Sequence, residues 1–136
     1  MPHTLLVEDD RAYARLVQHT LRRARPVQTI YHVSDGGEAL DYVFGRGEFA
    51  DRARFPLPDI ILLDLRMPRV DGFEVLRQLK GNPETRPITV VVMTSSDLAS
   101  DQARCQEYGA DQFLTKPGQL TELFERLMAI YQLYRV

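Results

Sequence analysis

The feature of this sequence that most constrains its fold is a regular alternation of short apolar runs with longer segments of helical periodicity. Residues 60–63 (IILL) and 90–93 (VVVM) are apolar at every position, as expected for strands that are buried on both faces. Such alternation predicts βαβ units, in which a mostly parallel sheet is covered by helices on both sides. Five strand–helix cycles can be counted, and the strands are predicted at 4–7, 29–33, 59–63, 88–93 and 112–115.

The segments that follow the strands have apolar side chains three or four residues apart, which is typical of amphipathic helices. In the first three helices, the positions predicted to face the core are Tyr13, Leu16, Val17, Leu21 and Ala24, then Ala39, Leu40, Val43 and Phe44, then Phe73, Leu76 and Leu79. In the last two helices they are Leu98, Ala103, Cys105 and Tyr108, then Leu120, Leu123, Phe124, Leu127, Ile130, Tyr131 and Tyr134.

The connections between these elements carry their own signals. Asp35 with Glu38, and the run 94–97 (TSSD), are predicted to cap the second and fourth helices. Segment 45–58 is longer than most connections between a helix and a strand. We expect it to be an ordered surface loop or an extension of the second helix.

The size and charge of the chain limit its possible functions. A chain of 136 residues with 44% hydrophobic content is expected to form one domain, 1–136, because domains usually contain about 100–200 residues. The net charge of −2 provides no overall attraction to nucleic acid or to anionic membranes. The N-terminus lacks the pattern of a secretory signal, and Cys105 is the single cysteine, so a cytoplasmic location is expected.

Polar side chains follow four of the predicted strands, at the points where these strands end. The groups are Glu8-Asp9-Asp10, Asp64, Thr94 and Lys116, and open α/β sheets bind their ligands at the carboxyl ends of the strands. Carboxylates brought together repel each other and raise one another's pKa unless a cation neutralises them. Because no His or Cys lies among these residues, the sequence predicts Mg²⁺, a hard ion that prefers oxygen ligands.

Phosphoryl transfer is a chemistry that this set of residues supports. The carboxylate of Asp64 can attack phosphorus to form an acyl phosphate. Lys116 can place a positive charge on the phosphoryl oxygens, and the Thr94 hydroxyl can donate a hydrogen bond to them. A cis peptide before Pro117 is one way of aiming this lysine, because cis bonds occur essentially at X-Pro.

Four motifs, in the same order, resemble those of the receiver domains of two-component response regulators. They are 6–10 (LVEDD), 63–72 (LDLRMPRVDG), 93–95 (MTS) and 116–117 (KP), and the likeness covers nearly the whole chain. The resemblance implies the flavodoxin-like (CheY-like) fold, an α/β doubly wound five-stranded parallel sheet in the order 2-1-3-4-5 with helices on both faces. It also implies a signalling phosphoacceptor rather than an enzyme. Such a protein catalyses only its own phosphoryl transfer and autodephosphorylation.

The resemblance assigns roles to the acidic residues and to the loop after the third strand. Asp64 corresponds to the phosphoacceptor and to a metal ligand, and Asp9 corresponds to a second metal ligand. Glu8 corresponds to an acidic neighbour that acts on the metal through water, and it is longer than the Asp most common there. The backbone carbonyl of Arg66 corresponds to a further ligand of Mg²⁺.

The remaining roles concern phosphate binding and switching. Lys116 corresponds to the phosphate-binding lysine and Thr94 to the switch hydroxyl. Phe113 corresponds to an aromatic switch position that is often Tyr, although an ordinary core phenylalanine fits this strand nearly as well. Asp10 is expected to cap the first helix rather than to face the site.

Two other functions compete with that of a phosphoacceptor. A phosphatase of the haloacid dehalogenase type also uses an aspartyl nucleophile, but it needs a second Asp two positions later, where this chain has Arg66. A receiver-like fold that binds partners without phosphorylation is disfavoured by the complete set of Asp9, Asp64, Thr94 and Lys116.

The expected partners are proteins. The resemblance implies a histidine kinase, and the output is expected to pass to a downstream protein or phosphotransfer partner, since no residues remain for an output domain. Segment 45–58 is similar to that of small single-domain regulators paired with phytochrome-type histidine kinases. The last helix has a wide apolar face, and excess apolar surface marks interaction sites. We therefore expect a homodimer through the helix from Leu120 to Tyr134.

Overall fold

The sheet has five parallel strands, as the alternating pattern predicts. In the computed structural model, which describes residues 2–67, 69–95 and 98–135, the strands are β1 (His3–Val7), β2 (Thr29–Val33), β3 (Ile60–Leu63), β4 (Thr89–Thr94) and β5 (Gln112–Thr115). Their order is β2-β1-β3-β4-β5, and each neighbouring pair is parallel. The predicted doubly wound α/β fold with strand order 2-1-3-4-5 is therefore confirmed.

Within the described residues, five α-helices cover the two faces of this sheet. They are α1 (Arg11–Ala24), α2 (Gly36–Phe44), α3 (Gly72–Gly81), α4 (Ala99–Glu107) and α5 (Leu120–Tyr134). Helices α1 and α5 contact each other, while α2 contacts α3 and α3 contacts α4. Because successive strand residues point to opposite faces, Leu62 packs in the core under α1 and α5, and Leu63 packs in the core under α2 and α3.

Aspartate side chains begin the first three helices. Asp10 accepts a hydrogen bond from the backbone N–H of Tyr13 at 3.1 Å, and Asp35 accepts one from that of Glu38 at 2.8 Å, which confirms both predicted caps. Residues 94–97 were predicted to cap α4, and for Thr94 and Ser95 this was wrong. The helix begins only at Ala99, and the residue before it, Leu98, provides no side-chain cap. Ser96 and Asp97 lie outside the described residues.

Some predicted core positions in the helices were wrong. In α1 the buried stripe is Ala14, Val17 and Leu21, and Leu16 is 43% exposed, because it is rotated by about 100° from Val17 on the helix surface. Leu120 is 49% exposed at the start of α5. In α4, Leu98 and Ala103 are also exposed, because the helix turns Asp101 and Cys105 toward the protein instead.

Segment 45–58 is ordered, as expected, but it does not extend α2. Helix α2 ends at Gly45, whose φ of 67° is left-handed, a backbone conformation that glycine adopts at no steric cost. A short 3-10 helix follows at Gly47–Phe49. The Arg52 guanidinium donates to the carbonyl oxygen of Tyr42 at 2.7 Å, so it satisfies part of the exposed end of α2.

Two phenylalanines of this segment belong to the core rather than to the surface. Phe49 and Phe55 are buried, and they stack edge-on against each other with centroids 5.1 Å apart. Tyr31 and Tyr42 complete this aromatic cluster, at centroid distances of 5.1 to 6.1 Å. The segment therefore covers one edge of the sheet and contributes to its hydrophobic core.

Among residues 2–67, 69–95 and 98–135, none of the helices has both the length and the apolar character that crossing a bilayer requires.

The aromatic cluster yields a stability prediction. Phe49→Ala removes a ring that is 2% exposed, and this should lower the free energy of unfolding by about 3–5 kcal/mol, because a buried cavity replaces the ring. Leu57→Ala, at a side chain of the same segment that is 47% exposed, should change it by less than about 0.5 kcal/mol. Urea unfolding measures both values, and a similar small loss in both variants would contradict a core role for the segment.

Candidate functional site

The carboxyl ends of the strands meet at one edge of the sheet and position the polar side chains there. Glu8 directly follows β1, Asp64 directly follows β3, Thr94 ends β4, and Lys116 directly follows β5. Backbone hydrogen bonds fix these positions, because the N–H of Asp64 donates to Val7 at 3.1 Å and the N–H of Lys116 donates to Thr94 at 2.7 Å. The sheet itself thus brings together residues that are 108 positions apart in the sequence (116 − 8).

Three carboxylates form a compact acidic cluster at this edge. Glu8, Asp9 and Asp64 each offer an oxygen atom, and these atoms lie within 4.8 Å of one another. Glu8 and Asp64 are buried, at 1% and 5% exposure, whereas Asp9 is exposed. Oxygen donors from several carboxylates are the ligands that hard divalent cations prefer, so the residues present fit a divalent metal with one side open to solvent.

Lys116 neutralises part of this negative charge. Its Nζ lies 2.6 Å from Oε1 of Glu8 and 3.3 Å from Oδ2 of Asp64. Its side chain is only 14% exposed, so both ion pairs lie largely out of water. Every described peptide bond is trans, including the one before Pro117. The cis form that the sequence allows before Pro117 is therefore not the one adopted.

The electrostatics of the buried groups follow from this arrangement. Burial, opposed by the hydrogen bond from Lys116, raises the pKa of Glu8 from 4.5 to about 7. Burial alone lowers the pKa of Lys116, but the hydrogen bond to Glu8 and the charge of Asp64 outweigh it, so the pKa of this lysine is raised. Lys116 is therefore held in its charged form, and Glu8 is poised to exchange a proton near neutral pH.

Neighbouring groups orient Glu8. Its Oε2 accepts a hydrogen bond from the backbone N–H of Asp10 at 3.1 Å. The backbone oxygen of Glu8 lies 2.7 Å from Nε2 of His32 on the adjacent strand β2. With Lys116 Nζ on its Oε1, both side-chain oxygens of Glu8 therefore have a partner.

The geometry also includes contacts that sequence reasoning missed. The Lys116 Nζ lies 4.7 Å from the ring centroid of Tyr13 in the first turn of α1. Nη2 of Arg66, two residues after Asp64, lies 2.8 Å from Oδ2 of Asp101 in α4. Helical periodicity assigned Tyr13 only to the core, and the pairing of Arg66 has no local sequence signal because it spans 35 residues.

The comparison with known proteins decides the family. The sequence model of one protein family, the response regulator receiver domain, matches residues 4–128. The chain belongs to the response regulator receiver domain family. It is thus the receiver domain of a two-component response regulator, a signalling protein whose family members are phosphoacceptors.

Individual receiver domains show the same likeness. Response regulator Rcp1 of Synechocystis sp. is 37% identical over 93% of this chain and 84% of its own length. Response regulator MprA of Mycobacterium tuberculosis is 39% identical over 93% of this chain, but the chain spans only 49% of MprA.

Two solved structures agree with this assignment. The phosphorylated cyanobacterial phytochrome response regulator RcpA superposes with a TM-score of 0.90, at 34% identity over 98% of this chain and 94% of RcpA. The Mn²⁺-bound form of Rcp1 superposes with a TM-score of 0.87, at 35% identity over 98% of this chain and 94% of Rcp1. A divalent ion bound to this relative agrees with the acidic composition of the cluster in the present receiver domain.

The structure locates the remaining predicted residues of the receiver domain as follows. Thr94 is fully buried at the end of β4, beside the strand that leads to Lys116. Phe113 on β5 is partly buried and packs against the core under α2 and α3. It also lines a cavity of about 300 Å³ with Gln102 and Gln106 of α4. The backbone N–H of Arg66 donates to Oδ1 of Asp64 at 3.3 Å, which ties this loop to the predicted phosphoacceptor.

The raised pKa of Glu8 yields a prediction for the metal-free protein. The folded state binds a proton on Glu8 up to about pH 7, whereas the unfolded state releases it near pH 4.5. Stability should therefore fall as pH rises between these values, by on the order of 1–3 kcal/mol. Urea unfolding in the presence of a chelator, at about pH 5 and about pH 8, should show this decline in the parent and a smaller one in Glu8→Gln. An equal decline in both proteins would contradict the assignment.

Proposed function

We propose that this receiver domain accepts a phosphoryl group on Asp64 from a histidine kinase, in a reaction that requires Mg²⁺. The observation that carries this proposal is the meeting of Asp64 with Glu8, Asp9 and Lys116 at one edge of the sheet. A buried carboxylate beside a fixed cation and further metal-binding oxygens is suited to nucleophilic attack on phosphorus.

The transfer follows from the positions of the side chains. One oxygen of Asp64 attacks phosphorus and forms an acyl phosphate, while the bond from phosphorus to the imidazole nitrogen of the kinase breaks and its electron pair stays on that nitrogen. Lys116, 3.3 Å from Oδ2 of Asp64, stabilises charge on the phosphoryl oxygens. Phosphoryl transfer depends mainly on such positioning and electrostatic stabilisation.

Mg²⁺ is the metal that we propose for the acidic cluster. Asp9 and Asp64 would hold it directly, Glu8 would act through water, and the backbone carbonyl of Arg66 would add a further oxygen. When bound, Mg²⁺ would neutralise charge on the phosphoryl oxygens. These residues fit Mg²⁺ because all of their donor atoms are oxygens.

The phosphatase alternative has less support. In that chemistry a second carboxylate is needed two positions after the nucleophile, and Arg66 stands there with its guanidinium paired to Asp101. We propose that the domain catalyses only its own phosphoryl transfer and the slow hydrolysis of its acyl phosphate by water. Binding of partners without phosphorylation has no support in a site with a complete set of acidic and basic residues.

Switching is proposed to run through Thr94 and Phe113. A phosphoryl group on Asp64 offers new acceptors to the Thr94 hydroxyl, and movement of Thr94 would change the space available to Phe113 on the neighbouring strand β5. Phosphorylation would thus shift a population between two conformations. The cavity that Phe113 lines with Gln102 and Gln106 of α4 lies where such a rotamer change would be expected to act.

The partners follow from this role. A histidine kinase supplies the phosphoryl group, and the resemblance to RcpA favours a kinase of the phytochrome type. We propose a cytoplasmic protein in which 1–136 is a receiver domain whose signal passes to a downstream protein or a phosphotransfer partner. Nucleic acid and membranes are not proposed as partners, given the net charge of −2.

We also propose a homodimer through α5. Leu123, Leu127, Ile130 and Tyr131 of this helix are buried against the sheet and α1, so these side chains are not available to a partner. Leu120 and Leu133, at 49% and 64% exposure, remain as apolar surface. These two leucines are the apolar side chains of α5 that the proposed dimer would cover.

The phosphoacceptor is tested by incubation with acetyl phosphate and Mg²⁺, followed by intact mass measurement. The parent should gain one phosphoryl group, and Asp64→Asn should gain none, because its amide is not a nucleophile. Asp10→Asn is the matched control, since Asn caps a helix as well as Asp does, and it should be phosphorylated like the parent. Phosphorylation of Asp64→Asn would refute the assignment.

The dimer is tested by size-exclusion chromatography with light scattering, with and without a phosphoryl mimic. Leu133→Ser should shift the protein toward monomer, because it removes exposed apolar area from α5, whereas Leu16→Ser on α1 should not. A monomer under all conditions at high concentration would refute the proposed dimer.

A further inference from the structure

The aromatic ring of Tyr13 lies against the amino group of the predicted phosphate-binding lysine. The Lys116 Nζ is 4.7 Å from the ring centroid, within the range of a cation–π interaction. Tyr13 is itself held in place, because its backbone N–H donates to the capping carboxylate of Asp10 at 3.1 Å. The first turn of α1, directly after Glu8 and Asp9, therefore carries an aromatic ring that attracts Lys116 in addition to its carboxylate partners.

A bound metal affects the attraction of the Tyr13 ring to Lys116 differently from the attraction of the two carboxylates. Glu8 and Asp64 attract the ammonium through charge, at 2.6 and 3.3 Å. A divalent cation among the carboxylates neutralises that charge and repels the ammonium. The quadrupole of an aromatic ring is not neutralised by the metal, so its attraction to Lys116 persists.

Lysine needs such a restraint more than most cationic residues. Its ammonium is a compact charge at the end of four flexible carbons and can move into solvent when its partners weaken. The ring of Tyr13 and the buried surroundings, which leave the Lys116 side chain 14% exposed, oppose this movement. The ammonium then stays beside Asp64 at the time when metal and phosphoryl donor are both present.

We propose that Tyr13 is a positioning residue for phosphoryl transfer, whose ring holds the ammonium of Lys116 beside Asp64 when a divalent metal has weakened the lysine's ion pairs. This inference rests on the proposed phosphoacceptor function. It concerns the ring alone. The hydroxyl of Tyr13 is buried and has no hydrogen-bond partner among the described residues, so the proposal gives it no part.

The test compares the initial rates at which acetyl phosphate phosphorylates four proteins at saturating Mg²⁺: the parent, Tyr13→Leu, Tyr13→Phe and Leu16→Ala. Tyr13→Leu should be slower by about three- to tenfold, which is the range expected for loss of a partly buried cation–π contact. Tyr13→Phe keeps the ring and should restore the rate to within about twofold of the parent. Leu16→Ala changes an exposed side chain of the same helix and should match the parent.

Mg²⁺ affinity, measured by calorimetry on the same proteins, separates positioning from damage to the site. Tyr13→Leu should bind Mg²⁺ at least as tightly as the parent. The carboxylates remain in place, and the Lys116 ammonium, which repels Mg²⁺, can move away from them more easily. Three results would overturn the inference: an unchanged rate in Tyr13→Leu, an equal loss in Tyr13→Phe, or a rate loss accompanied by weaker Mg²⁺ binding. A parent that accepts no phosphoryl group at all would instead refute the proposed function on which the inference rests.

Discussion

The site depends on the compensation of charge between one lysine and two buried carboxylates. Lys116 pairs with both Glu8 and Asp64, and removing one partner of a buried pair is strongly unfavourable because the other charge is left uncompensated. The compensation is nevertheless incomplete. With Asp9 included, three carboxylates face one ammonium, so the ionised cluster carries a net charge of −2 (3 negative, 1 positive). That excess is what makes the site attractive to a divalent cation.

The fold makes this concentration of charge possible by fixing the backbone independently of the side chains. The ladder of the parallel sheet extends to Asp64 and Lys116 through hydrogen bonds to Val7 and Thr94. Gly72, in the first turn of α3, lies very close to the backbone that follows β3. An added Cβ there would lie 2.3 Å from the backbone oxygen of Asp64. Only glycine permits this approach, and it brings the start of α3 close to the predicted phosphoacceptor.

Much of this architecture was predictable from the sequence. Buried strands such as 60–63 lack polar interruptions, and their order and ends determine that Glu8, Asp64, Thr94 and Lys116 share one edge. The errors arose where a side chain's surroundings depend on distant elements. Leu16 fits a helical stripe but lies off the buried face. Phe49 and Phe55 lie in a segment without periodicity. The contacts of Tyr13 with Lys116 and of Arg66 with Asp101 have no signal in the local sequence.

We propose that these strand ends form a single centre for metal and phosphoryl group. A crystal structure of the protein with Mg²⁺ and beryllofluoride, a mimic of the phosphoryl group, tests it most directly. We expect the mimic on Asp64, Mg²⁺ among Asp9, Asp64 and the carbonyl of Arg66, and the Lys116 ammonium in contact with fluoride. Beryllofluoride bound elsewhere, or Lys116 turned into solvent in its presence, would contradict it.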